Sequence, residues 1–399
     1  MMQISPETQL FIREHSSDDV RVLALQAKKY PDIDMPTAIT QIAGRKVAAE
    51  KIPSWWEIEK IWYPKHLSLE QCSSEITARY KARLLQGDSL TDLTGGFGID
   101  CSFLATGFKS ATYVERQEEL CEIAAHNFPV LNLNHINIKN EDGVTYLQAM
   151  SPVDCLFFDP ARRNEHGGKT VAISDCEPNV AELEELLLQK ANRVMIKLSP
   201  MLDLSLALKE LKQTQEVHIL SVNNECKELL ILLGQTSPTE ISIHCVNLST
   251  KGTQEEQHFV FTREQEQCSE CTYTDSLETY LYEPNASLLK AGAFRSIAAA
   301  YPVRKLHPNS HLYTSDILVA GFPGRSFRVE KVLPFSNKVC KSITQEIPQA
   351  NITVRNFPMS VDDLRKKTKI QEGGDVYLFA TTLSDGGKVL VVCRKVSNI

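Results

Sequence analysis

Between residues 88 and 235 the chain alternates short apolar runs with amphipathic helical patterns, and this alternation constrains the fold more than any other feature. The runs SLTDLT, SATYVERQ, INIKNED, PVDCLFFDP and RVMIKLSP have the length and composition of buried strands. Between them, segments such as EELCEIAAHNF and VAELEELLLQKA carry apolar residues at helical spacing. EVHILSV and KELLILLG then form a hairpin across a short polar turn. The pattern predicts an α/β fold with a doubly wound sheet of seven strands.

Two regions of different character flank this segment. Residues 1–86 are predicted to be helical, because DDVRVLALQAKKY, PTAITQIAGRKVAAEKI and SSEITARYKARLL place apolar residues three and four apart. We assign residues 87–270 to the sheet domain. Residues 271–399 are predicted to form an α+β module, in which SFRVEKVLPF, NITVRNFP, DVYLFATTL and KVLVVCRKV are strands and SVDDLRKKTKI is a basic helix.

Charge is distributed unevenly along the chain. The formal net charge is −7, which argues against a histone-like binder of nucleic acid. Residues 273–399 nevertheless carry 17 Lys+Arg against 11 Asp+Glu, whereas residues 1–272 carry 26 against 39. A basic module on an acidic body favours a polyanion-binding appendage, and a solvated surface of mixed charge is the alternative.

The location expected from the sequence is the cytoplasm. The chain contains no apolar run of about 18 residues that could span a membrane, and the first 20 residues lack the pattern of a secretory signal. The 11 cysteines are scattered without a disulfide framework, as in a reducing compartment. The single CxxC, Cys268 to Cys271, suggests zinc only weakly, and we predict no metal.

A glycine-rich turn follows the first predicted strand. TDLTGGFGID, residues 91–100, places Gly95, Gly96 and Gly98 between a strand and a helix. Glycine is favoured where φ must be positive or where a ligand approaches the backbone closely. Such a turn suits a nucleotide-like ligand, and a tight turn without a ligand is the alternative.

Acidic residues end four of the predicted strands. Asp92 ends the first strand, and Glu115 ends the second, 17 residues beyond Gly98. Asp142 and Asp159 end the third and fourth. Ligands of doubly wound sheets bind at the carboxyl ends of the strands, where an acid can accept hydrogen bonds from a ribose. The four positions together predict a site at this edge of the sheet.

The segment from about 88 to 235 resembles the class I S-adenosylmethionine-dependent methyltransferases, which have a Rossmann-like fold. The resemblance lies in DLTGGFG, in YVERQEELCEIAAHNF and in the Asp-Pro-Ala-Arg that follows the fourth strand. It implies S-adenosylmethionine as the cofactor, with Asp142 near the adenine, Glu115 at the ribose and the glycine turn at the methionine end. The implied cofactor-binding residues are Asp92, Thr94, Gly96, Phe97, Gly98, Glu115, Arg116, Asp142 and Gly143. Cys101 replaces the third glycine of a dinucleotide-binding turn, which weakens a nicotinamide interpretation.

Asp159-Pro160-Ala161-Arg162 stands where the resembling enzymes form their methyl-transfer pocket. Asp159, Pro160 and Arg162 are therefore the predicted catalytic residues, and Asp159 is the candidate for orienting the acceptor or taking its proton. Enzymes of this kind that methylate a pyrimidine carbon need a cysteine after the fifth strand, where this chain has KLSP at 197–200. The resemblance therefore favours transfer to nitrogen. A turn that only ends the strand is the alternative.

The predicted substrate is RNA, either tRNA or rRNA, and no specificity for DNA is expected. Arg163 and Lys169 lie in a basic loop after the fourth strand, and Lys197 ends the fifth. The C-terminal module weakly resembles the THUMP-like, ferredoxin-like appendages that carry RNA to methyltransferases, which implies that Arg365, Lys366 and Lys367 bind substrate. The alternatives are a methyltransferase for a protein or small molecule, and a non-catalytic RNA-binding protein. The sequence predicts no oligomeric state.

Overall fold

The computed structural model describes residues 4–162, 172–236, 238–250 and 256–396. The chain forms two compact units. One comprises Met1–Glu216 and Leu229–Thr239, and the other comprises Val217–Glu228 and Glu240–Ile399. The predicted catalytic residues belong to the first unit, and the predicted basic helix belongs to the second.

The first unit begins with helices, as predicted, and alternates strands with helices from residue 89 onward. Its helices are α1 (Pro6–Glu14), α2 (Val20–Leu25), α3 (Met35–Lys51), α4 (Pro53–Trp56), α5 (His66–Gln71), α6 (Glu75–Ala82), α7 (Ile99–Ala105), α8 (Glu118–Val130), α9 (Gly143–Ala149), α10 (Val180–Lys190) and α11 (Leu204–Glu210). Its strands are β1 (Ser89–Asp92), β2 (Ser110–Glu115), β3 (Ile136–Asn140), β4 (Val153–Phe158), β5 (Ala161–Arg162), β6 (Cys176–Glu177), β7 (Ala191–Leu198), β8 (Thr214–Val222) and β9 (Glu225–Gly234), with the tip of the β8–β9 hairpin assigned to the second unit.

Seven of these strands follow the order β3-β2-β1-β4-β7-β9-β8, which is a Rossmann-like, doubly wound arrangement. Strands β1, β2, β3, β4 and β7 pair in parallel, and β9 is antiparallel to β7. The predicted fold class is therefore confirmed. Because the five parallel strands point the same way, their carboxyl ends meet at one edge of the sheet, where the predicted acidic residues follow them.

The N-terminal helices share a hydrophobic core with the glycine turn and the helix that follows it. Trp55 is 2% exposed, and its ring makes an edge contact with Phe97, with the centroids 5.2 Å apart. Tyr63 and Ala78 join Ile99 in the same buried cluster. The region before β1 therefore packs directly on the elements that carry the predicted cofactor site.

One helix of this region is shorter than predicted. The periodicity over 18–30 predicts one continuous helix, whereas the structure has α2 over Val20–Leu25 and a separate 3₁₀ turn over Ala27–Lys29. Leu25, in the last turn of α2, is 88% exposed. Because only Leu23 of α2 is buried, little apolar contact is available to hold a longer helix.

The second unit contains the predicted α+β module. Its strands are β10 (Ser242–Leu248), β11 (Glu256–Thr262), β12 (Tyr280–Pro284), β13 (Arg304–Lys305), β14 (Tyr313–Ser315), β15 (Gly324–Pro334), β16 (Asn351–Arg355), β17 (Val376–Thr382) and β18 (Lys388–Val396). Its helices are α12 (Arg263–Cys268), α13 (Ala286–Ala291), α14 (Ser296–Ala300), α15 (Asn337–Glu346) and α16 (Val361–Thr368). Seven strands form a sheet in the order β13-β14-β12-β15-β18-β17-β16. Strands β10 and β11 form a hairpin that continues the other sheet beside β8, so that sheet has nine strands where seven were predicted.

The basic helix is a crossover within this sheet. Strand β16 runs parallel to β17, and α16 connects them. The buried Leu364 of α16 packs with Ile343 of α15 and Leu378 of β17, so the opposite face of α16 is left to its charged residues. Among the residues that the structure describes, no helix is both long and apolar enough to cross a membrane.

Candidate functional site

The glycine turn connects β1 to α7, and its three glycines have different roles. A Cβ at Gly95 would lie 2.2 Å from the ring of Tyr113, so this glycine serves packing. Gly98 has φ +87°, and at this position the chain enters α7. Gly96 has φ +55°, and a Cβ there would meet only the Thr94 carbonyl oxygen at 3.8 Å. The backbone at Gly96 therefore faces open space, as a ligand-binding turn requires.

Glu115, at the end of β2, holds this turn from the neighbouring strand. Its Oε2 accepts a hydrogen bond from the Gly96 amide at 2.9 Å, and its Oε1 accepts one from the Gln117 amide at 2.9 Å. Each carboxylate oxygen has a further lone pair. Glu115 is only 9% exposed, so the orientation of its carboxylate at the edge of the sheet is fixed.

Asp142 and Gly143 lie at the start of α9, after β3. Asp142 is the N-cap of this helix, and its Oδ1 accepts hydrogen bonds from the Val144 and Thr145 amides, both at 3.0 Å. A Cβ at Gly143 would lie 2.2 Å from the Leu93 carbonyl oxygen. These two residues thus bring the β3 loop against the end of β1, and the exposed Asp142 lies on the outside of that contact.

Asp92 is a fully buried acid at the end of β1. Its Oδ1 accepts a hydrogen bond from the Thr94 amide at 2.9 Å, and its buried Oδ2 has no hydrogen-bond partner among the described residues. Burial raises the pKa of this carboxyl to about 8, although the Thr94 amide acts in the opposite direction. A buried carboxyl oxygen without a partner is uncommon, and it marks Asp92 as a candidate ligand contact.

Asp159 follows β4 and lies close to both Asp92 and Lys197. Its amide donates to Thr94 Oγ1 at 2.7 Å, which joins the ends of β1 and β4. Its Oδ2 lies 2.5 Å from the Lys197 Nζ, and its side chain is 36% exposed. Burial raises the pKa of the Asp159 carboxyl above its ordinary value, while the Lys197 ammonium acts against that shift. The Asp159 carboxylate is thus paired with Lys197 through Oδ2, and the rest of its side chain is partly exposed to solvent.

Lys197 belongs to a larger group of buried ionic side chains that the sequence did not predict. Its Nζ also lies 3.2 Å from Asp100 Oδ2, and Asp100 Oδ1 lies 2.8 Å from the Nζ of Lys81. Ser73 Oγ donates to Asp100 Oδ2 at 2.7 Å. We call these five residues the buried charge network: Ser73, Lys81, Asp100, Asp159 and Lys197.

One signal in the sequence could have pointed to this network. Lys81 lies four residues after Thr77, on the same face of α6, and both side chains are buried. A lysine at an apolar position of a helical pattern needs a buried partner. Asp100, in the first turn of α7, supplies that partner.

The other predicted site residues lie in different surroundings. Phe97 is 3% exposed in the core, so only its backbone is available to a ligand, and Arg116 is exposed after β2. Pro160 is buried, and Arg162 belongs to β5, which pairs with β6. Arg163 and Lys169 lie outside the described residues.

The predicted RNA-binding side chains of α16 differ in whether they form hydrogen bonds within the protein. Arg365 donates to the carbonyl oxygens of Ile370 and Ala350 at 3.4 and 3.3 Å. Lys366 and Lys367 are exposed, and the Lys367 ammonium lies 5.0 Å from the centre of the Phe335 ring. The two lysines are therefore the members of this group that present charge to solvent.

The single CxxC does not form a metal cluster in the part of the chain that the structure describes. Cys268 is exposed and Cys271 is partly exposed, and neither belongs to a group of three or more close metal-ligating side chains. Both are free thiols.

The residues at the carboxyl edge of the sheet fit S-adenosylmethionine. The open space at Gly96 admits a ligand to the backbone, and Asp92 offers an unpaired oxygen to an ammonium group. Glu115 and Asp142 follow the adjacent strands β2 and β3, where the resemblance places the ribose and the adenine. The donor would thus extend along the ends of β1, β2 and β3.

Comparison with known proteins finds family matches in the C-terminal part of the chain. A THUMP domain-like family matches residues 324–395, and a ferredoxin-like domain family matches residues 280–323. No curated protein matches the chain in sequence. The chain is also similar to an rRNA methylase from Streptococcus thermophilus (15% identity, 40% of this chain, 93% of that chain, TM-score 0.29). A second similar structure is a Streptococcus mutans protein in complex with SAH (14% identity, 40% of this chain, 96% of that chain, TM-score 0.30).

A similarity over the whole length identifies the family. The crystal structure of a putative methyltransferase from Porphyromonas gingivalis W83 shares 36% identity with this chain, with a TM-score of 0.87. The alignment covers 100% of both chains, so it includes the N-terminal helices and the THUMP-like module as well as the sheet. S-adenosylmethionine is the cofactor that this relationship and the residues of the site indicate. The chain therefore belongs to the same methyltransferase family as the P. gingivalis protein.

Proposed function

We propose that this protein transfers a methyl group from S-adenosylmethionine to a nitrogen atom of an RNA base, in tRNA or rRNA. The observation that carries the proposal is the carboxylate of Asp159. It is held by Lys197 on one side, is 36% exposed on the other and follows directly from the strand next to the glycine turn. This arrangement supports a base that faces an acceptor at the donor's methyl end.

Methyl transfer to nitrogen requires the protein to position the donor and the acceptor and to accept one proton. When bound, S-adenosylmethionine supplies an electrophilic methyl group, so that a C–N bond forms as the C–S bond breaks and its electron pair stays on sulfur. Asp159 accepts a hydrogen bond from the acceptor N–H and takes the proton as the nitrogen becomes cationic. The buried Pro160 follows Asp159 at the end of β4, and Arg162 lies two residues further on, in β5.

Donor binding should release a proton, because Asp92 is protonated in the ligand-free protein near neutral pH. Its pKa is raised to about 8 by burial, and a cationic amino group placed at Oδ2 would favour the ionised form. We expect the release of up to about one proton per S-adenosylhomocysteine bound at pH 7. Calorimetry in two buffers of different ionisation enthalpy measures this number.

An Asp92→Asn variant is the matched control for that measurement. It should bind more weakly and release no proton from this site. Because the folded-state pKa is raised, the proton on Asp92 stabilises the fold at low pH, and that contribution is lost as pH rises from about 4 to about 8. The variant should therefore gain stability relative to the parent over that range. Equal binding heats of the parent in both buffers would contradict the assignment of Asp92.

The proposal of RNA as the substrate rests on the second unit. Its THUMP-like family match and its excess of basic residues support RNA binding, and α16 presents Lys366 and Lys367 to solvent. Binding to phosphates should weaken as salt rises, because counterions are released from the RNA.

Neutralising α16 should reduce both RNA affinity and its salt dependence. We expect the Lys366→Gln, Lys367→Gln double variant to lower the slope of log affinity against log salt by about 1 to 2. The control is Lys28→Gln with Lys29→Gln, which removes the same charge from exposed lysines of the first unit. Fluorescence anisotropy with bulk tRNA and rRNA measures both. A parent-like slope in the α16 variant would count against this helix as an RNA contact.

The function is tested by identifying the methylated nucleoside. The purified protein is incubated with methyl-labelled S-adenosylmethionine and RNA from cells that lack the gene, and the digested RNA is analysed by mass spectrometry. A labelled nucleoside with the methyl group on nitrogen is the expected result. If donor binding is intact and no nucleoside is labelled, the acceptor is a protein or a small molecule. If no donor binds, the chain is a non-catalytic RNA-binding protein.

A further inference from the structure

The buried charge network joins the N-terminal helical region to the proposed base. Ser73 lies just before α6 and Lys81 within it, whereas Asp100 belongs to α7 and Asp159 follows β4. We propose that Ser73, Lys81 and Asp100 are positioning residues that fix Lys197 and, through it, Asp159. Under this proposal, which rests on the proposed function, residues 1–86 are part of the methyl-transfer site.

Lys197 is held in one orientation by the number of its acceptors. Its ammonium group has three N–H donors. Among the residues that the structure describes, its Nζ lies 2.5 Å from Asp159 Oδ2 and 3.2 Å from both Asp100 Oδ2 and Ser73 Oγ. A lysine that contacts three acceptors on different elements is restrained in its orientation and places its positive charge next to Asp159.

Lys81 fixes the far side of the network. Its side chain is fully buried, and its Nζ lies 2.8 Å from Asp100 Oδ1 and 2.6 Å from Ser73 Oγ. Each oxygen of Asp100 thus forms an ion pair with one lysine ammonium. Although burial favours the neutral acid, the Lys197 and Lys81 ammonium groups hold the pKa of Asp100 well below its ordinary value. The network therefore contains two lysines and two carboxylates, and its ion pairs offset the cost of burying charge.

The network determines which oxygen of Asp159 faces the acceptor. Oδ2 is directed to Lys197, and Oδ1 accepts no hydrogen bond from the residues that the structure describes. Because the side chain is partly exposed, Oδ1 is the oxygen available to an acceptor N–H. Losing Lys81 would leave Asp100 to draw Lys197 toward itself and would remove a positive charge near Asp159, so Asp159 would ionise at higher pH.

A charge-balanced pair of variants separates this role from a purely structural one. Lys81→Met removes one positive charge, and Lys81→Met with Asp100→Asn removes one charge of each sign from the same place. Both variants lose the same buried ion pair, but only the single variant changes the net charge around Asp159. The titration of Asp159 reports the charge near its carboxyl, which the double variant restores. In an active enzyme, kcat reports the position of Lys197 and Asp159, so it should fall in both variants.

The measurement is the titration of the Asp159 carboxyl carbon by NMR, with ¹³C-labelled aspartate. The resonance is assigned by its absence in Asp159→Asn. We expect the midpoint to rise by about half a pH unit or more in Lys81→Met and to return toward the parent value in the double variant. Identical midpoints in all three folded proteins would overturn the proposal.

A milder variant covers the case in which Lys81→Met does not fold. Ser73→Ala removes only the hydroxyl that both lysines contact, and it should shift the midpoint in the same direction by a smaller amount. An unchanged midpoint in a folded Ser73→Ala protein would count against the network as a positioning device.

This measurement requires neither donor nor acceptor, so it can fail separately from the proposed function. If the midpoints shift as expected and no RNA is methylated, the effect of the network on Asp159 is supported and the proposed acceptor is wrong. If RNA is methylated and the midpoints do not move, the network proposal is wrong and the function stands. In an active enzyme, the acidic limb of the kcat–pH profile should move with the NMR midpoint in the single variant and recover in the double variant.

Discussion

An Asp159→Asn variant is expected to lose methyl transfer almost completely, with kcat lowered by about 10²- to 10⁴-fold. The substitution keeps the shape of the side chain and removes its ability to take a proton. It leaves the Asp159 amide free to donate to Thr94 Oγ1, so the connection between β1 and β4 should persist. The measurement is single-turnover methyl transfer to RNA, with donor affinity determined by calorimetry on the same protein.

The control for this variant is Asp88→Asn. Asp88 precedes β1 at the opposite edge of the sheet, and its exposed side chain pairs with Lys109 on the surface. This variant should transfer methyl groups at the parent rate. If Asp159→Asn retained more than about a tenth of the parent kcat while binding donor normally, Asp159 would not be the base, and the proton would leave through solvent or through the acceptor itself.

The fold could be predicted because few sheet topologies are compatible with alternating strands and helices. Apolar runs such as PVDCLFFDP and RVMIKLSP are buried on both faces, and parallel strands joined by helices wind in one sense, so the order around β4 and β7 follows from the pattern. Helix α15 was not predicted. Its sequence, NKVCKSITQE, buries only Cys340 and Ile343, which is too short an apolar stripe to distinguish from a loop.

The ends of the strands could be predicted for a related reason. Asp92, Glu115 and Asp159 end parallel neighbours, so the topology alone brings them to one edge. The residues that join this edge from other elements could not be found in the same way. Ser73 and Lys81 reach Asp100 through the packing of α6 on α7, a tertiary contact between segments that are about 20 to 30 residues apart.

Lys197 illustrates the limit of reasoning from strand ends. Its position at the end of a buried strand predicts a side chain at the carboxyl edge, and the sequence analysis predicted contact with substrate. In the structure its Nζ lies between the carboxylates of Asp100 and Asp159. The charge of a lysine is visible in the sequence, but its partners depend on which acids the folded chain places within about 4 Å, and burial then makes those partners obligatory.

The adjacent glycines Gly95 and Gly96 should respond to the same substitution in opposite ways. An alanine at Gly95 would place its Cβ 2.2 Å from the buried ring of Tyr113. We expect Gly95→Ala to lower the free energy of unfolding by about 3 kcal/mol, because neither the ring nor the turn has room to move. Chemical denaturation measures this loss.

Gly96→Ala is expected to fold and to lose the donor. No protein atom lies within 3.4 Å of its Cβ position, so the substitution costs only the positive φ of +55°, about 1 kcal/mol. The new methyl group would project into the space that we assign to S-adenosylmethionine, and donor affinity should fall by at least about tenfold, equivalent to about 1.4 kcal/mol. Calorimetry with S-adenosylhomocysteine measures the affinity.

Gly321→Ala provides the matched control for backbone strain. Gly321 has φ +68°, and a Cβ there would meet nothing within 4 Å, but it lies in the second unit, away from the glycine turn in the sequence. This variant should show the same loss of stability as Gly96→Ala and an unchanged donor affinity. If Gly96→Ala bound S-adenosylhomocysteine as tightly as Gly321→Ala does, the glycine turn would be a structural turn only, and the donor would have to bind elsewhere on the sheet.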